Sequence, residues 1–391
     1  MKSKLFFLSL IMLSLQLEAQ IISGIVFHDV NKNGIRDNGE AGIQGVVVSD
    51  QVNVVKTDNQ GRYQIDRASG NGIIMISLPN EYQAVNSFWK KMDAGNSGSI
   101  DFPLFKVNQP LEFSFIHASD THISDKNLDR MEKLRNTIDK TKPNFVLVTG
   151  DLVRDALRVS EKEATGYYEL YLQEIQKIKT PVWNAVGNHE IFGIERHLSL
   201  VSSQHPLYGR KMYRHYLGPD YYSFNFGGVH FVSLNSLEFE DLWYYGRIDS
   251  IQLEWLKKDV LSLPPTTPIV TFQHVPFFSG GLSLSPYEDE GPGRTLEREH
   301  GVKQFRHVVS NALDVLAILK DRNFPLALAG HYHFQQKFSL EGLQTRFEQT
   351  SAVVGPSGQG TIVMPSGVTW YRVKDGKIDE GKFLPLDIPN K

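Results

Sequence analysis

Five short blocks of the sequence place metal-ligating residues directly after apolar runs. The candidate ligands are carboxylates, imidazoles and one amide, namely Asp120, His122, Asp151, Asn188, His274, His331 and His333. Oxygen and imidazole ligands suit hard and borderline divalent cations. Two such cations held close together can activate a water molecule and bind a phosphate group. The blocks therefore predict a phosphoester hydrolase.

The blocks lie in a middle zone, 111–336, where strand-like and helix-like segments alternate. Strand-like runs cover 113–118, 144–149, 182–186, 229–234, 269–272 and 326–329, and helical spacing covers 128–140, 161–177, 251–263 and 302–322. This alternation is typical of an α/β core with buried sheets. Ligands of α/β sheets bind beyond the carboxyl ends of strands. Since each block follows a strand-like run, we expect the candidate ligands to converge in one crevice.

Glycine stands directly before a candidate ligand in three of the blocks, at Gly150, Gly187 and Gly330. A residue without a Cβ lets the backbone turn tightly and approach a metal or a phosphate closely. The glycines therefore favour turns that bring the ligands near their cations.

Two zones with different patterns flank this α/β core. Residues 21–107 alternate apolar and polar positions between Gly, Asn and Asp turns, which predicts an all-β domain, namely a sandwich. Residues 338–391 return to short β segments, and the Asp375-Gly376 pair between apolar runs indicates a hairpin. We interpret this last zone as a small C-terminal β module or as an extension of the core.

In chain order, the blocks have the pattern D-x-H, G-D, G-N-H-[DE], H and G-H-x-H. They resemble the motifs of the calcineurin-like metallophosphoesterase superfamily across the whole middle zone. The resemblance implies a β-sandwich flanked by helices that holds two divalent cations, with Mn, Fe, Zn and Mg as the candidates. It assigns one cation to Asp120, His122, Asp151 and His333, and the other to Asp151, Asn188, His274 and His331.

The resemblance also implies how individual residues act. Asp151 would bridge the cations, because a carboxylate has two oxygens and its negative charge screens their repulsion. A hydroxide that bridges both metals would attack phosphorus in a phosphomonoester or a phosphodiester. His189 would stand near the leaving-group oxygen and donate a proton or stabilise charge. Apart from the resemblance, we expect the adjacent Glu190 to orient His189. The catalytic residues are therefore expected to be His189 and Asp151.

A second candidate metal site lies in the N-terminal zone, at 29–40. Oxygen-bearing residues alternate there as in calcium loops, and Gly34 provides the bend. The candidate ligands are Asp29, Asn31, Asn33, Ile35 through its carbonyl, Asp37 and Glu40. The segment resembles the calcium loops of bacterial surface β-sandwich domains, and 57–63 resembles prealbumin-like modules. We expect a structural calcium ion here; a polar turn without metal is the alternative.

The composition and the N-terminus narrow the remaining function classes. The chain of 391 residues has no cysteine, which excludes disulfides, thiolate metal sites and cysteine nucleophiles. A formal net charge of -3 argues against a protein that coats nucleic acid. Residues 1–19 combine Lys2 and Lys4, a short apolar run and Ala19 before the cut, as in a signal peptide. We therefore expect export to the periplasm, the cell surface or the medium, without a stable membrane span.

The main alternative to an enzyme is a surface protein that binds glycan or protein through its β-domain and keeps a vestigial metal site. The complete set of candidate ligands favours the enzyme, with a small-molecule phosphoester as its partner. Eight histidines lie outside the blocks, and we interpret seven of them, His307 included, as structural or surface residues.

Overall fold

The computed structural model describes residues 21–66, 71–92, 99–240, 242–283, 295–297, 302–359 and 362–387. The predicted signal peptide, residues 1–19, lies outside these ranges. Among the helices of the described ranges, none is both long enough and apolar enough to cross a bilayer.

Short strands make up the region before the core. They are β1 (Ile21–His28), β2 (Val47–Ser49), β3 (Val54–Lys56), β4 (Arg62–Asp66), β5 (Ile73–Ile76), β6 (Tyr82–Ala84), β7 (Trp89–Lys91) and β8 (Phe102–Lys106). Two four-stranded sheets result, with the orders β4-β1-β8-β6 and β3-β2-β5-β7. In β4 the buried Tyr63 and Ile65 alternate with exposed neighbours, because successive strand residues point to opposite faces. The region is therefore β-rich, and its packing as a sandwich stays a prediction.

The remaining strands and helices form the core and the segment that follows it. The strands are β9 (Glu112–Ala118), β10 (Phe145–Thr149), β11 (Val182–Ala185), β12 (Tyr222–Phe226), β13 (Val229–Ser233), β14 (Leu237–Glu240), β15 (Trp243–Gly246), β16 (Ile269–Phe272), β17 (Thr295–Glu297), β18 (Lys303–Phe305), β19 (Leu326–Ala329), β20 (Gln336–Ser339), β21 (Arg346–Gln349), β22 (Ser357–Gln359), β23 (Ile362–Met364), β24 (Gly367–Lys374), β25 (Lys377–Ile378) and β26 (Lys382–Pro385). The helices are α1 (Leu128–Thr141), α2 (Glu161–Gln176), α3 (Arg196–Ser199), α4 (Lys211–Tyr216), α5 (Ser250–Leu261) and α6 (Ala312–Leu319), with 3₁₀ turns at Asn188–Glu190 and Gly280–Ser283.

Two six-stranded sheets form the centre of the core. One has the order β11-β10-β9-β24-β25, with β26 also paired to β24, and the other has the order β12-β13-β16-β19-β21-β20. Aromatic rings join the facing sides: Phe231 lies 5.7 Å from Phe115 and 5.1 Å from Phe145, measured between ring centroids. All three are buried in one apolar cluster. The mixed α/β class expected from the sequence is confirmed.

Parallel pairing decides where the strand ends meet. β9, β10 and β11 run parallel in the first sheet, and β13, β16 and β19 run parallel in the second. Their carboxyl ends therefore lie together at one edge of each sheet, where ligand sites form in α/β folds. The loops that leave β9, β10, β11, β16 and β19 at this edge carry the five blocks.

The predicted helix over 302–322 is wrong in its first part. β18 occupies that part as a strand paired with β17, and α6 covers only residues further along. The backbone N–H of Phe305 donates to Ser310 Oγ at 2.7 Å, and that of Val309 donates to the Pro276 carbonyl at 2.9 Å. These bonds take the place of the i to i−4 bonds on which a helix depends.

The segment 338–391, for which the sequence leaves a separate module or an extension of the core open, contributes strands to both sheets. β21 pairs in parallel with β19, and β24 lies antiparallel to β9 over six residue pairs. The backbone N–H of Val354 also donates to the carbonyl of Asp120 at 3.0 Å. The C-terminal strands therefore support the loop that follows β9.

Buried hydrogen bonds join the N-terminal region to the core. The Gln51 side chain donates to the Tyr221 carbonyl at 2.9 Å, and the Tyr221 hydroxyl donates to the Gln51 carbonyl at 2.5 Å. The backbone N–H of Asn225 donates to the Leu78 carbonyl at 2.8 Å. Because most of these groups are shielded from water, separating the two parts would leave unpaired polar groups.

Candidate metal centre

The seven candidate ligands lie in one cluster at the carboxyl ends of the parallel strands. Backbone bonds hold the loops together there: Asp120 N–H donates to the Gly150 carbonyl at 3.0 Å, and His122 N–H donates to the Asp151 carbonyl at 2.9 Å. Ligating atoms within 4.8 Å of one another form three groups, which are Asp120 with His122 and His333, His122 with Asp151 and His189, and Asp151 with His274 and His331. Residues up to 213 positions apart in the chain thus share one site (333 minus 120).

The first group places two imidazole nitrogens and a carboxylate oxygen around one point. His333 Nε2 lies 3.2 Å from His122 Nε2 and 3.1 Å from Asp120 Oδ1. Asp120 Oδ1 is buried and receives no well-aligned hydrogen bond from any described residue. Although burial opposes ionisation, the imidazoles of His333 and His122 hold the pKa of Asp120 well below its ordinary value. A buried anionic oxygen without a donor fits a cation.

The third group, with Asn188 beside it, crowds hydrogen-bond acceptors around a single nitrogen, Nε2 of His274. Asn188 Oδ1 and His331 Nδ1 both lie 3.0 Å from His274 Nε2, and Asp151 Oδ2 lies 3.2 Å from it. A ring nitrogen carries at most one proton, so it cannot satisfy three acceptors at once. Carboxylate, amide and imidazole ligands converge in this way around a divalent cation. The residues therefore fit a metal ion.

Asp151 connects the first group to the third. Its Oδ2 is 3.2 Å from His274 Nε2 and 3.6 Å from His122 Nε2. Its Oδ1 instead accepts the backbone N–H of His189 at 2.9 Å. Both carboxylate oxygens were expected to contact the cations, whereas here Oδ2 alone faces both His122 and His274. Although burial opposes ionisation, His274 and then His189 hold the pKa of Asp151 far below its ordinary value.

Five of the seven candidate ligands have a left-handed backbone. Their φ angles lie between 38° and 76°, at Asp120, His122, Asp151, His331 and His333. Non-glycine residues rarely adopt this region because their Cβ crowds the backbone. Backbone strain of this kind persists where the surrounding structure fixes it and is concentrated at functional sites. The strain therefore marks the cluster as a site rather than as ordinary surface loops.

Close packing explains the glycine at two of the turns. A Cβ on Gly187 would lie 2.2 Å from the backbone nitrogen of Asp151 and 2.3 Å from its Oδ1. A Cβ on Gly330 would lie 1.8 Å from Ser119 Oγ and 2.7 Å from Asp120 Oδ2. Neither position has room for a side chain, as the sequence predicts from the place of the glycines before ligands.

Two backbone carbonyls orient histidine rings toward the cluster. His274 Nδ1 lies 2.8 Å from the Thr149 carbonyl, and His189 Nδ1 lies 2.6 Å from the Arg154 carbonyl. A carbonyl only accepts, so each Nδ1 carries the proton and each Nε2 faces inward. In the metal-free protein burial lowers the pKa of His189 to about 4, although Asp151 raises it. His189 is therefore neutral there at pH 7, with its lone pair on Nε2.

Glu190 acts differently from the sequence expectation. Its buried carboxylate accepts backbone N–H groups from Asp151, Leu152, Val153 and Gly187 at 2.7–3.0 Å. The ring of His189 is oriented by a carbonyl instead. Glu190 therefore fixes the backbone of the turns after β10 and β11 rather than a side chain.

His307 is a residue that the sequence argument did not place at the site. Its Nδ1 lies 2.6 Å from His331 Nε2, so the two rings meet edge to edge, with centroids 4.8 Å apart. The contact links the segment between β18 and α6 to the loop after β19. No motif surrounds His307 in the sequence, so no local pattern predicts this contact.

The candidate calcium loop is closed by hydrogen bonds to its own backbone. The buried Asp29 accepts N–H groups from Lys32 and Gly34, both at 2.7 Å. Glu40 accepts the N–H of Val30 at 2.8 Å and that of Asp37 at 3.0 Å. The carboxylates thus point inward on the loop, and a bound ion there stays a prediction.

A family model fits most of the core. The model of the calcineurin-like phosphoesterase family matches residues 113–335, and the model described as the N terminal of calcineurin-like phosphoesterase matches residues 30–108. No curated protein matches the chain.

The solved structures that are similar to this chain share little of its sequence. A dimetal phosphatase from Danio rerio is 13% identical, covers 71% of this chain and 100% of its own, and has a TM-score of 0.47. A purple acid phosphatase from yellow lupin (Lupinus luteus) seeds is 12% identical, covers 93% and 68%, and has a TM-score of 0.47. The phosphopantetheinyl hydrolase from Mycobacterium tuberculosis is 13% identical, covers 63% and 90%, and has a TM-score of 0.35.

The assignment rests on the family model, whose match spans more than half of the chain and includes every candidate ligand. Together with the match before the core, it confirms the family and the N-terminal region that the motifs indicated. The chain belongs to the calcineurin-like phosphoesterase family and is a metal-dependent phosphoester hydrolase.

Proposed function

We propose that the protein hydrolyses phosphomonoesters or phosphodiesters with two divalent cations, drawn from Mn, Fe, Zn and Mg. The observation that carries the proposal is the position of Asp151 Oδ2, which lies 3.2 Å from His274 Nε2 and 3.6 Å from His122 Nε2. One anionic oxygen between two sets of imidazole nitrogens suits a pair of cations that share a ligand. The first cation would be held by Asp120, His122, Asp151 and His333, and the second by Asp151, Asn188, His274 and His331.

Two bound cations would acidify a water for attack on phosphorus and would bind phosphate oxygens. The residues around them supply charge balance and a proton carrier. Asn188 contributes a neutral oxygen, so that the site keeps enough positive charge to attract a phosphate. His189 Nε2 faces inward, 3.8 Å from Asp151 Oδ2, where its lone pair can take up a proton released by the attacking water and pass it to the leaving oxygen.

The test uses p-nitrophenyl phosphate, its bis ester and measured metal content. We expect the wild-type protein with added Mn²⁺ to bind two ions and cleave at least one ester. Asp151→Asn should lose activity by more than a hundredfold and retain fewer than two ions. Asn188→Ala should weaken the binding of one ion. Asp321→Asn, which changes an exposed side chain, should behave as the wild type does. A wild-type protein that binds no metal pair would contradict the proposal.

The same experiment separates the enzyme from the binding-protein alternative. A vestigial site would leave both esters and a wider panel of phosphomonoesters and phosphodiesters intact at full metal occupancy. The metal ions would then only stabilise the fold. Their removal would lower the unfolding temperature, and no turnover would be detected with or without them.

We further propose that the protein is exported and processed. Lys2 and Lys4, the short apolar run after them and Ala19 support a signal peptide that is cleaved before Gln20. Mass spectrometry of the protein from its native source should find Gln20 as the first residue, in a periplasmic, surface or medium fraction. A full-length form confined to the cytoplasm would contradict this.

We propose a structural calcium ion in the loop at 29–40, with ligands Asp29, Asn31, Asn33, Ile35, Asp37 and Glu40. The complete ligand spacing and the inward carboxylates of Asp29 and Glu40 support it. Added Ca²⁺ should raise the unfolding temperature of the wild-type protein and of Asp66→Asn, whose aspartate is exposed on β4. Asp29→Asn should abolish that rise; an equal rise in both variants would contradict the site.

A further inference from the structure

The imidazole of His331 contacts ring nitrogens at both of its ends. Its Nδ1 lies 3.0 Å from His274 Nε2 inside the cluster of candidate ligands. Its Nε2 lies 2.6 Å from Nδ1 of His307, which stands outside that cluster. The rings of His307 and His331 are inclined by 26° and lie 4.8 Å apart. At this distance one of the two nitrogens must carry a proton and donate it in a hydrogen bond, and the other must accept it through a lone pair.

The direction of this hydrogen bond decides whether His331 can bind a metal. If His307 donated, the neutral His331 would carry its own proton on Nδ1, and that nitrogen could not coordinate a cation. If His331 donates from Nε2, its Nδ1 keeps a lone pair that faces the cluster. Metal coordination by His331 Nδ1 therefore requires His307 Nδ1 to be the acceptor.

We propose that His307 is a positioning residue that accepts a hydrogen bond from His331 Nε2 and thereby holds His331 Nδ1 ready for a divalent cation. The inference rests on the proposed function, because it concerns one of the two cations. It adds a residue from 24 positions before His331 in the chain, outside all five blocks.

The surroundings of His307 suit this part. The rings of Tyr244 and Tyr332 lie 6.4 Å and 6.2 Å from its own, measured between centroids, so the imidazole packs among aromatic rings. For His274 the same task falls to the carbonyl of Thr149, at 2.8 Å from Nδ1. Groups that orient a ligand in this way typically contribute 10- to 100-fold to metal affinity. His307 is the counterpart of that carbonyl for His331.

The experiment compares His307→Asn with His307→Leu. The amide oxygen of asparagine can stand where His307 Nδ1 stands and accept the same proton, whereas leucine fills the space without an acceptor. Binding of Mn²⁺ to the metal-free proteins is followed by the electron paramagnetic resonance of the free ion, which yields the affinity of each ion separately. His197→Leu, at an exposed histidine on α3, is the matched control.

The wild-type and His197→Leu proteins should each bind two ions, and the affinity for each ion should be the same in both proteins. His307→Leu should bind one of the two ions ~10- to 100-fold more weakly and leave the other unchanged, and His307→Asn should restore most of the loss. If His307→Leu binds both ions as the wild type does, or if the two variants weaken binding equally, the inference is overturned while the proposed function stands. A wild-type protein that binds fewer than two ions overturns both.

A measurement on the wild-type protein covers the case in which His307→Leu does not fold. In the metal-free protein with histidine labelled with ¹⁵N, the nuclear magnetic resonance shifts should show a proton on Nε2 of His331 and none on Nδ1 of His331 or of His307. A His331 Nε2 without a proton in that sample would also overturn the inference.

Discussion

The carboxylate of Glu190 accepts a hydrogen bond from the backbone N–H of Asp151 across 2.9 Å. The same Oε2 accepts the N–H of Gly187 at 2.7 Å, while Oε1 accepts those of Leu152 and Val153 at 2.7 Å and 3.0 Å. One buried side chain thus fixes the turn after β10 against the turn after β11. The geometry of the metal centre depends on this link, because each turn carries candidate ligands.

Glu190→Gln should therefore destabilise the protein and weaken metal binding. The substitution replaces one carboxylate oxygen by an NH₂ group, which would then face two N–H donors. We expect the free energy of unfolding to fall by about 1–3 kcal/mol per group left unpaired. Urea unfolding and metal content measure this, with Glu169→Gln on the exposed side of α2 as control. An unchanged midpoint and two retained ions would show that the link is dispensable.

Gly187→Ala should damage the centre by crowding alone. Its Cβ would lie 2.2 Å from the backbone nitrogen of Asp151, so one of the two turns must move. We expect a loss of 1 kcal/mol or more, of about the size found for overpacked cores, together with reduced metal content. Gly166→Ala is the matched control, because its Cβ meets nothing within 4 Å and alanine favours the helix. That control should gain about 0.5–1 kcal/mol in urea unfolding; equal losses in both would refute the crowding argument.

Local pattern explains what could be predicted from the sequence. A strand followed directly by Asp151 or His274 is visible within a few residues, and parallel strands then bring such positions to one edge. Helical periodicity likewise placed α1 within one residue of its observed end. These features depend on neighbours in the chain, which the sequence displays.

Contacts between distant segments explain what could not be predicted. The bond from His307 to His331 has no sequence signature, and the same segment carried a helical period that tertiary bonds at Phe305 and Val309 overrode. Glu190 accepts hydrogen bonds from backbone N–H groups. Every residue except proline has such a group, so the sequence does not mark these partners. Its role could therefore be seen only once the two turns were placed side by side.

His189→Ala should reduce turnover while both cations remain bound. The ring of His189 donates from Nδ1 to the Arg154 carbonyl at 2.6 Å, which leaves Nε2 to serve the leaving oxygen. Loss of such a proton carrier costs ~10²–10⁴-fold in turnover. The loss should be larger for phenyl or alkyl phosphate than for p-nitrophenyl phosphate, because a poor leaving group depends more on protonation. Equal losses for all leaving groups at full metal content would place His189 in substrate positioning instead.

Metal affinity should rise with pH up to about 9. Although burial opposes its charge, His274 lies beside Asp151, whose carboxylate raises the pKa of His274 to about 9. In the metal-free protein His274 is therefore protonated at pH 7, and a cation must displace that proton to reach Nε2. The affinity for the more pH-sensitive ion should increase about tenfold per pH unit between 7 and 9 and then level off. Titration calorimetry in two buffers with different ionisation enthalpies should detect at least one proton released per protein at pH 7. An affinity that is flat over this range, with no proton released, would mean that His274 is already neutral and that Asp151 does not pair with it.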